Sequence, residues 1–258
     1  MKELGHLTNE KPAQVIQNIK ATTSQEVLSC LSSNNALRQQ VKRARRMQAP
    51  AEPSSVDFCV PEELTLTLSG QLFLRDIRIE GNGILMFCTL DNLKHLAGAK
   101  YWLMDGTFNT VPLLFKQLYT IHTSVGGSEN SVSVPLLYAL MTNKSEELYS
   151  RLFQELNDWA DENKIPLRPD FILTDFEKSS INAIGFEFPG AQSKGCYFHL
   201  GQCIYRNVCA NGMQTRYGTN ERFNLEIRQI AALAFLNAAK IPAAFEELYG
   251  QFQMRPSW

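Results

Sequence analysis

Two aspartates, Asp105 and Asp175, each end a short apolar segment and are the residues of this sequence best suited to chemistry. Segments 101–105 and 171–175 have the composition of buried strands, and Gly106 favours a turn that exposes the first carboxylate. Two neighbouring carboxylates repel unless cations lie between them, and Mg²⁺ or Mn²⁺ prefers such oxygen ligands. Paired metal ions about 3.5–4 Å apart can drive phosphodiester transfer. The alternative is that each aspartate only forms a turn or caps a helix.

The elements that must position these aspartates predict an α/β fold. The expected order from residue 101 is three strands at 101–105, 115–123 and 132–141, a helix at 145–163, a strand at 171–175, a helix at 177–185, a short strand at 195–198, and helices at 199–210 and 220–252. Ser145 is the expected N-cap of the first helix. The three leading strands predict an antiparallel meander, and the helical crossovers predict later strands parallel to the first. Both aspartates would then lie at one edge of the sheet, where ligands of such sheets collect.

The N-terminal segment predicts three short helices within 12–47. Pro12 can begin the first, Thr23 with Glu26 forms a capping box for the second, and Asn34 or Asn35 can cap the third. Residues 48–55 contain two prolines and two serines and predict a linker.

A leading group of strands is expected between that linker and residue 101. Alternation of apolar and polar residues predicts strands at 64–68 and 71–76, and a turn at 81–83 precedes a strand at 84–88. A short helix at 91–97, capped by Asp91, completes this segment. A second turn is expected at Gly126 and Gly127.

The third N-terminal helix carries a basic cluster: Lys42, Arg43, Arg45 and Arg46. The cluster lies in residues 27–51, which contain no acidic residue. It has three interpretations: a solvated helix face, a nuclear import signal, or phosphate contacts to DNA. Three helices with a basic last helix are also the layout of a helix-turn-helix, whose last helix enters the major groove.

Composition sets the broad class of protein. The net charge is -1, and the 44% hydrophobic and 20% charged residues are ordinary for a folded globular domain. No secretory signal and no membrane span are evident, so we expect a soluble intracellular protein. The six cysteines are widely spaced, which predicts buried thiols or metal ligands rather than disulfides.

Several collinear motifs resemble the transposase domain of Mutator-like elements (MULE), over roughly residues 12–252. They are WLMDGTF at 102–108, FKQLYTIH at 115–122, VPLLYAL at 134–140, TDFE at 174–177, GCYFHL at 195–200 and AALAFL at 231–236. The members that this sequence resembles are the animal ones, in which a FLYWCH-type zinc finger often precedes the transposase domain. This resemblance implies an RNase H-like fold in which Asp105 and Asp175 are the first two acids of a DDE triad. It further implies a divalent metal cofactor, cleavage and strand transfer at transposon ends, a DNA target, and action in the nucleus.

The third acid of the resembled family is a Glu in a stretch like Asn-Asn-x-x-Glu-Gly-Trp-His, and this sequence has no such stretch. Glu246 and Glu247 resemble the helical insertion that precedes it, and Glu177 is the remaining candidate near the aspartates. We therefore expect a chain truncated before its third acid, with little or no strand transfer of its own. No Cys/His cluster of an upstream zinc finger precedes Cys30 either.

A second constellation combines Cys196 and His199 with Cys203 and Cys209 on one expected helix. Thiolate and imidazole suit Zn²⁺, but a zinc site needs four ligands. The alternative is that His199 bonds locally and that the thiols are buried as small apolar groups.

The sequence as a whole predicts four segments: a basic helical segment at 1–50 that binds DNA, a linker with leading strands at 51–100, an RNase H-like core at 101–212, and a helical insertion at 213–258. The function expected is that of a transposase fragment acting on DNA, either as a monomer or as a homo-oligomer. The alternative is a host-adopted module that binds DNA or protein without catalysis.

Overall fold

The structure, a computed structural model, describes residues 10–48, 52–108, 111–126 and 130–253. The chain divides into two units, Met1–Pro53 and Ser54–Trp258. The expected turn residue Gly127, the middle of the expected linker and the two ends of the chain lie outside the described residues. None of the described helices has the length and apolar character needed to cross a membrane. The finer segment boundaries expected at 51–100, 101–212 and 213–258 stay predictions.

The first unit contains the three expected helices: α1 (Pro12–Ala21), α2 (Gln25–Ser29) and α3 (Asn34–Gln48). Pro12 begins α1, as predicted, and α1 packs against α3. Their buried side chains are Val15, Ile16, Leu37, Val41 and Ala44. On α3 these positions follow the i, i+4, i+7 spacing of one helix face, which leaves the basic residues on the other.

Two of the expected helix caps in this unit are wrong. Ser24, not Thr23, precedes α2, and the Thr23 hydroxyl donates to the carbonyl of Ile19 at 2.6 Å instead of accepting from α2. At α3 the Ser33 hydroxyl accepts from the amide of Ala36 at 3.3 Å, so neither Asn34 nor Asn35 is the cap. At α3 a hydroxyl one residue earlier thus meets the helix end, whereas the Ser24 side chain makes no capping hydrogen bond at α2.

The second unit is built on a mixed sheet of seven strands with helices packed on it. The strands are β1 (Leu74–Ile79), β2 (Asn82–Phe87), β3 (Tyr101–Thr107), β4 (Gln117–Val125), β5 (Val132–Met141), β6 (Phe171–Thr174) and β7 (Gln192–Gly195). Their order across the sheet is β1-β2-β5-β4-β3-β6-β7. Strands β3, β4 and β5 form the expected antiparallel meander, and β6 and β7 are parallel to β3, as the helical crossovers predicted. Strand β7 therefore forms one edge of the sheet.

A hairpin of β1 and β2 extends the sheet beyond β5. The turn between them contains Gly81 at φ 68°, a backbone conformation that suits glycine. The strand expected at 64–68 is wrong: Leu64 ends a 3₁₀ helix, Glu62–Leu64, and only Leu66 bridges to Leu72. Residues 65–67 instead make a few backbone hydrogen bonds with 71–73, such as that from the Thr67 amide to the Gln71 carbonyl at 2.8 Å, without forming a regular strand.

The helices of the sheet are α4 (Leu90–Gly98), α5 (Glu146–Glu162) and α6 (Lys178–Glu187). Ser145 caps α5 as predicted, since its hydroxyl accepts from the amide of Leu148 at 3.3 Å. Asp91 does not cap α4; the Thr89 hydroxyl accepts from the amide of Asn92. The buried face of α5 comprises Leu148, Tyr149, Leu152, Phe153, Leu156, Trp159 and Ala160, and it joins the main core under the sheet.

Four more helices follow β7: α7 (Tyr197–Ala210), α8 (Gln214–Thr219), α9 (Glu221–Ala232) and α10 (Ile241–Gln253). The short strand expected at 195–198 is wrong, because β7 ends at Gly195 and Tyr197 already begins α7. The expectation of continuous helix over 220–252 is also wrong, because the chain is extended at Leu236 before Asn237 caps the next 3₁₀ turn. Val208, Phe223 and Ile227 form a small separate core between these helices.

Phe153 tests the dependence of the fold on the buried face of α5. Phe153→Ala removes a fully buried ring and should lower the free energy of unfolding by about 3–5 kcal/mol. The matched control is Phe186→Ala, because Phe186 is 77% exposed on α6 and its loss should change stability by less than about 0.5 kcal/mol. Guanidinium unfolding followed by tryptophan fluorescence measures both; equal losses would contradict this packing.

Candidate active site

Asp105 lies on β3, and Asp175 directly follows the last residue of the adjacent parallel strand β6. Strand β3 pairs with β6 in the register Tyr101 to Phe171 and Leu103 to Leu173, so paired residues differ by 70 in number. The two aspartates differ by the same 70, although the paired ladder ends at Leu103 and Leu173 and Asp175 lies one residue beyond β6.

The burial pattern of β3 and β6 indicates the sheet face to which the aspartates belong. Trp102, Met104, Ile172 and Thr174 are buried on the face covered by helices. Since side chains alternate along a strand, Asp105 belongs to the opposite face, and Asp175 would share that face if the alternation of β6 continued past Thr174. Both aspartates are half-buried. The Asp105 side chain is 40% exposed, so its carboxylate is accessible to a ligand.

Asp105 does not close its strand, in contrast to the sequence expectation of a turn at Gly106. Strand β3 continues to Thr107, because β4 pairs with it through Leu118. The glycine is required for a different reason: a Cβ there would lie 2.9 Å from Oε1 of the buried Gln117.

Polar groups from β4 and α7 surround Asp105. Its Oδ1 lies 3.5 Å from Nε2 of His199, and its backbone carbonyl accepts from the Thr120 hydroxyl at 3.2 Å. Thr120 also lies 2.9 Å from Nε2 of His122. Burial lowers the pKa of His122, and the charge of Asp105 acts in the opposite direction. Nδ1 of His199 is buried and makes no hydrogen bond with any described residue.

Asp175 combines a turn with its position at the site. Its Oδ1 accepts from the amide of Glu177 at 3.1 Å, which shapes the connection into α6. The Thr174 hydroxyl lies 3.5 Å from the same oxygen. One oxygen of Asp175, Oδ1, therefore forms a turn, as the alternative to metal binding expected. Its other oxygen, Oδ2, accepts no hydrogen bond from a described residue.

A buried polar network supports the connection after β6. The Glu177 carboxylate lies 3.3 Å from Nζ of Lys144 and 3.2 Å from the hydroxyl of Tyr149. The Tyr149 hydroxyl also accepts from Nε2 of Gln117 at 2.8 Å, and burial raises the pKa of Tyr149. Nζ of Lys144 lies 3.6 Å from the ring centre of Phe108. The network thus links β4, α5 and the end of β3 to the residue two positions after Asp175.

No third acid joins the two aspartates among the residues that the structure describes. In this part of the chain no group of three or more His, Cys, Asp or Glu side chains is arranged to hold a metal ion. Glu177 is engaged by Lys144 and Tyr149, and Glu246 and Glu247 are exposed on α10. The aspartates alone still fit Mg²⁺, which is bound by one or two carboxylates and keeps several waters.

The region that contains these residues can be compared with known families. Residues 101–203 match the model of the MULE transposase domain. No curated protein matches the chain. The match runs from the first residue of β3 into α7, so it includes Asp105, Asp175 and His199. It supports the MULE family and a transposase-related function for this region.

Within the MULE match, Cys196 and His199 have separate positions. Cys196 precedes α7, and its amide donates to the carbonyl of Thr174 at 2.8 Å, next to Asp175. His199 is directed to Asp105, and Cys203, one turn further along α7, is exposed. The zinc interpretation stays a prediction, because the described residues provide no group of three such ligands.

The basic cluster lies outside the MULE match, in the first unit. Lys42, Arg43 and Arg46 are exposed on α3, whereas Nη2 of Arg45 donates to the carbonyl of Glu10 at 2.7 Å. Arg46 also lies 3.8 Å from the exposed Glu52. Residues 30–33 connect α2 and α3, a length that suits a helix-turn-helix. All three interpretations of the cluster stay open.

Sequence reasoning missed Lys144, Tyr149 and Gln117 as neighbours of the candidate site. Tyr149 belongs to the apolar stripe of α5, and Gln117 is part of an alternating strand, so neither shows its polar contacts in a sequence pattern. The one available signal is that Gln117 occupies a position whose strand neighbours Tyr119 and Ile121 are apolar and buried.

Tyr149→Phe tests this network. The change keeps the buried ring but leaves Gln117 and Glu177 without their shared hydroxyl, so stability should fall by about 1–3 kcal/mol. Tyr197→Phe is the control, since Tyr197 is 48% exposed and its ring contact with Phe235 is kept. Urea unfolding curves measure the two variants. An unchanged midpoint for Tyr149→Phe would show that the network does not stabilise the fold.

Proposed function

We propose that this protein is a transposase module whose Asp105 and Asp175 hold a divalent metal ion for phosphodiester chemistry on DNA. The observation that carries the proposal is the shared offset of 70 between paired β3 and β6 residues and between the aspartates. Two carboxylates at the same level and on the same face of a sheet would repel without a cation. The MULE match over 101–203 includes both.

The proposal includes an RNase H-like core of the DDE type. Its support is the strand order β5-β4-β3-β6-β7. Strands β5, β4 and β3 are antiparallel neighbours, and β6 and β7 run parallel to β3. Within this proposal we assign the protein to the animal, FLYWCH-associated members of the family, because its sequence motifs resemble theirs.

Each residue has a defined task in this proposal. Asp105 and Asp175 provide oxygen ligands, and Thr120 fixes the backbone of β3 at Asp105. Bound Mg²⁺ or Mn²⁺ would activate a water or a 3′-hydroxyl and stabilise the leaving oxygen. The reaction breaks a P–O3′ bond and forms a P–O bond to the attacking oxygen; the attacking group loses a proton and the leaving 3′ oxygen gains one.

DNA is the partner that this chemistry requires, as transposon ends and as target, and the nucleus is the compartment in which we propose it acts. Exposed Lys42, Arg43 and Arg46 on α3 supply positive charge for phosphates. A binding module without catalysis is the second candidate, and the observation that favours it is the lack of a third acid among the described residues.

Metal binding tests the proposed role of the aspartates. Asp105→Asn and Asp175→Asn keep the shape of each side chain but remove its charge, so each should weaken Mn²⁺ binding by at least about tenfold. Asp158→Asn, at an exposed position of α5, is the matched control and should leave binding unchanged. Electron paramagnetic resonance of free Mn²⁺ measures the affinity.

A cleavage assay with a labelled DNA duplex and Mg²⁺ or Mn²⁺ then separates the two candidates. Metal binding without cleavage would favour the binding module, and cleavage that disappears in Asp105→Asn would establish the enzyme. Mn²⁺ affinity that is the same in all variants would contradict the proposed metal site.

The basic cluster has its own test in DNA binding. Replacing Lys42, Arg43 and Arg46 by Gln should weaken binding to duplex DNA and reduce the salt dependence by roughly 0.9 in log–log slope for each DNA phosphate that is no longer neutralised. The control replaces three exposed basic residues of the second unit by Gln: Arg168, Arg228 and Lys240. Fluorescence anisotropy at several salt concentrations measures both. Equal effects of the two triple variants would leave the cluster as a solvated face.

A further inference from the structure

An open cleft lies between α1 and α3 in the first unit. Its volume is about 560 Å³, and side chains from both helices line it, among them Ala13, Ile16, Gln17, Lys20, Asn34 and Arg38. Lys20 of α1 meets Asn34 of α3 across the cleft, at 2.8 Å between Nζ and Oδ1. Two of the lining side chains are cationic and none is acidic, so the cleft is suited to an anion.

Both cations of the cleft are available to a ligand. Nζ of Lys20 donates one hydrogen bond, to Asn34, and an ammonium group can donate three. Arg38 is exposed, and among the described residues no carboxylate forms an ion pair with Arg38 or Lys20. Glu10, the acid just before α1, accepts from Nδ2 of Asn18 at 3.1 Å instead.

Arg38 also begins a straight stripe of cations along α3. Lys42 and Arg46 follow it at i+4 and i+8, and side chains four residues apart are neighbours on one helix face. All three are exposed. Together with Lys20 they form a cation track of four residues: Lys20, Arg38, Lys42 and Arg46. Eight residues of helix separate Arg38 from Arg46, which gives the α3 part of the track a length of about 12 Å.

We propose that the cation track binds consecutive phosphates of one DNA strand, with the first of them in the cleft between α1 and α3. The inference rests on the proposed function, which makes DNA the partner of this protein, and it adds Lys20 and Arg38 to the residues that bind phosphate. One strand of duplex DNA carries a phosphate about every 3.4 Å along the helix axis, so about 12 Å of track spans three or four phosphates. Arg43 lies about 100° around α3 from Lys42 and is not part of the track.

The charge of this part of the chain favours a polyanion as the occupant. Residues 10–48 contain seven lysine and arginine side chains and two acidic ones, whereas the net charge of the whole chain is -1. The pair of Arg46 with the exposed Glu52, at 3.8 Å, is open to solvent and competes weakly with a phosphate.

A DNA strand fits the track better than an acidic peptide does. The phosphates of a duplex have a fixed spacing that a rigid helix can match, whereas the carboxylates of a peptide are carried by flexible side chains. The planar guanidinium groups of Arg38 and Arg46 also suit bidentate binding of phosphate.

Neutralisation of the cleft tests the proposal. Arg38→Gln and Lys20→Gln should each weaken binding to a labelled DNA duplex and lower the log–log salt slope by about 0.9, because each removes one phosphate contact. Arg38→Lys keeps the charge and should keep the slope. Lys11→Gln is the matched control, because Lys11 is exposed just before α1, makes no capping hydrogen bond and does not line the cleft. Fluorescence anisotropy of the full chain at several salt concentrations measures affinity and slope.

A carboxylate inside the cleft gives a sharper test. Gln17→Glu places an acid three residues before Lys20 on α1 and among the same lining residues as Arg38. It should weaken DNA binding more than Arg38→Gln does, because the acid repels a phosphate and also pairs with a cation of the cleft. Gln14→Glu is the matched control: Gln14 is also exposed on α1 but does not line the cleft, so binding should stay near that of wild type. Far-UV circular dichroism confirms that each variant is folded.

The outcomes separate this inference from the proposed function. Unchanged affinity and slope in Arg38→Gln and Lys20→Gln, or equal losses in Gln17→Glu and Gln14→Glu, would overturn the cation track, even if Mn²⁺ binds at Asp105. Poly-L-glutamate that displaces the duplex at an equal concentration of charges would also overturn it, since flexible carboxylates would then suffice.

Losses confined to the cleft variants, with both controls near wild type and the duplex retained against poly-L-glutamate, would support the cation track. That result would stand even if no metal binds at Asp105, because the anisotropy measurement contains no divalent metal.

Discussion

The buried face of α5 is the interaction on which the position of the candidate site depends. Seven side chains of this helix are buried against the core under the sheet. They can be buried there only if the chain crosses over the sheet between β5 and β6. The crossing makes β6 parallel to β3, because an antiparallel neighbour would need only a tight turn. Parallel strands carry their carboxyl ends to one side. Burial of α5 therefore fixes the crossover that places β6, and with it the residue Asp175 that directly follows β6, beside β3.

Structural and chemical roles are combined in the same few residues at this site. Asp175 shapes the turn into α6 with one oxygen, and the amide that it binds belongs to Glu177, whose side chain is anchored in the core by Tyr149. The backbone of Asp105 is fixed by Thr120. Turn formation and metal binding are thus compatible for these aspartates, since a carboxylate offers about four acceptor positions and a turn uses one.

The central strands of the sheet could be predicted from sequence because they are long and rich in apolar residues, as in β5. The parallel pairing of β3 with β6 could also be anticipated from the helical crossovers, although Asp105 lies inside its strand instead of at its end and the catalytic role of the aspartates stays a proposal. The expected helix caps were wrong because neighbouring side chains compete for the same helix end. Two neighbouring polar side chains can each cap the same helix. Only the three-dimensional geometry shows that Thr89, and not Asp91, caps α4. Residues 64–68 alternate as a strand does, but Leu64 belongs to a 3₁₀ helix and 65–67 pair with 71–73 over only a few backbone hydrogen bonds. The contacts of Lys144 and Tyr149 join distant parts of the chain, which no local pattern reveals.

Strand β7 leaves one edge of the sheet open, and its four residues are exposed throughout. Unpaired amide and carbonyl groups on such an edge could pair with the edge of a second molecule and begin aggregation. Two features oppose that outcome: β7 is very short, and Lys194 projects a positive charge from its middle, near the ring of Phe171. The same strand that completes the support of Asp175 therefore also carries the charge that keeps neighbouring molecules apart, so solubility and site architecture constrain this stretch of sequence together.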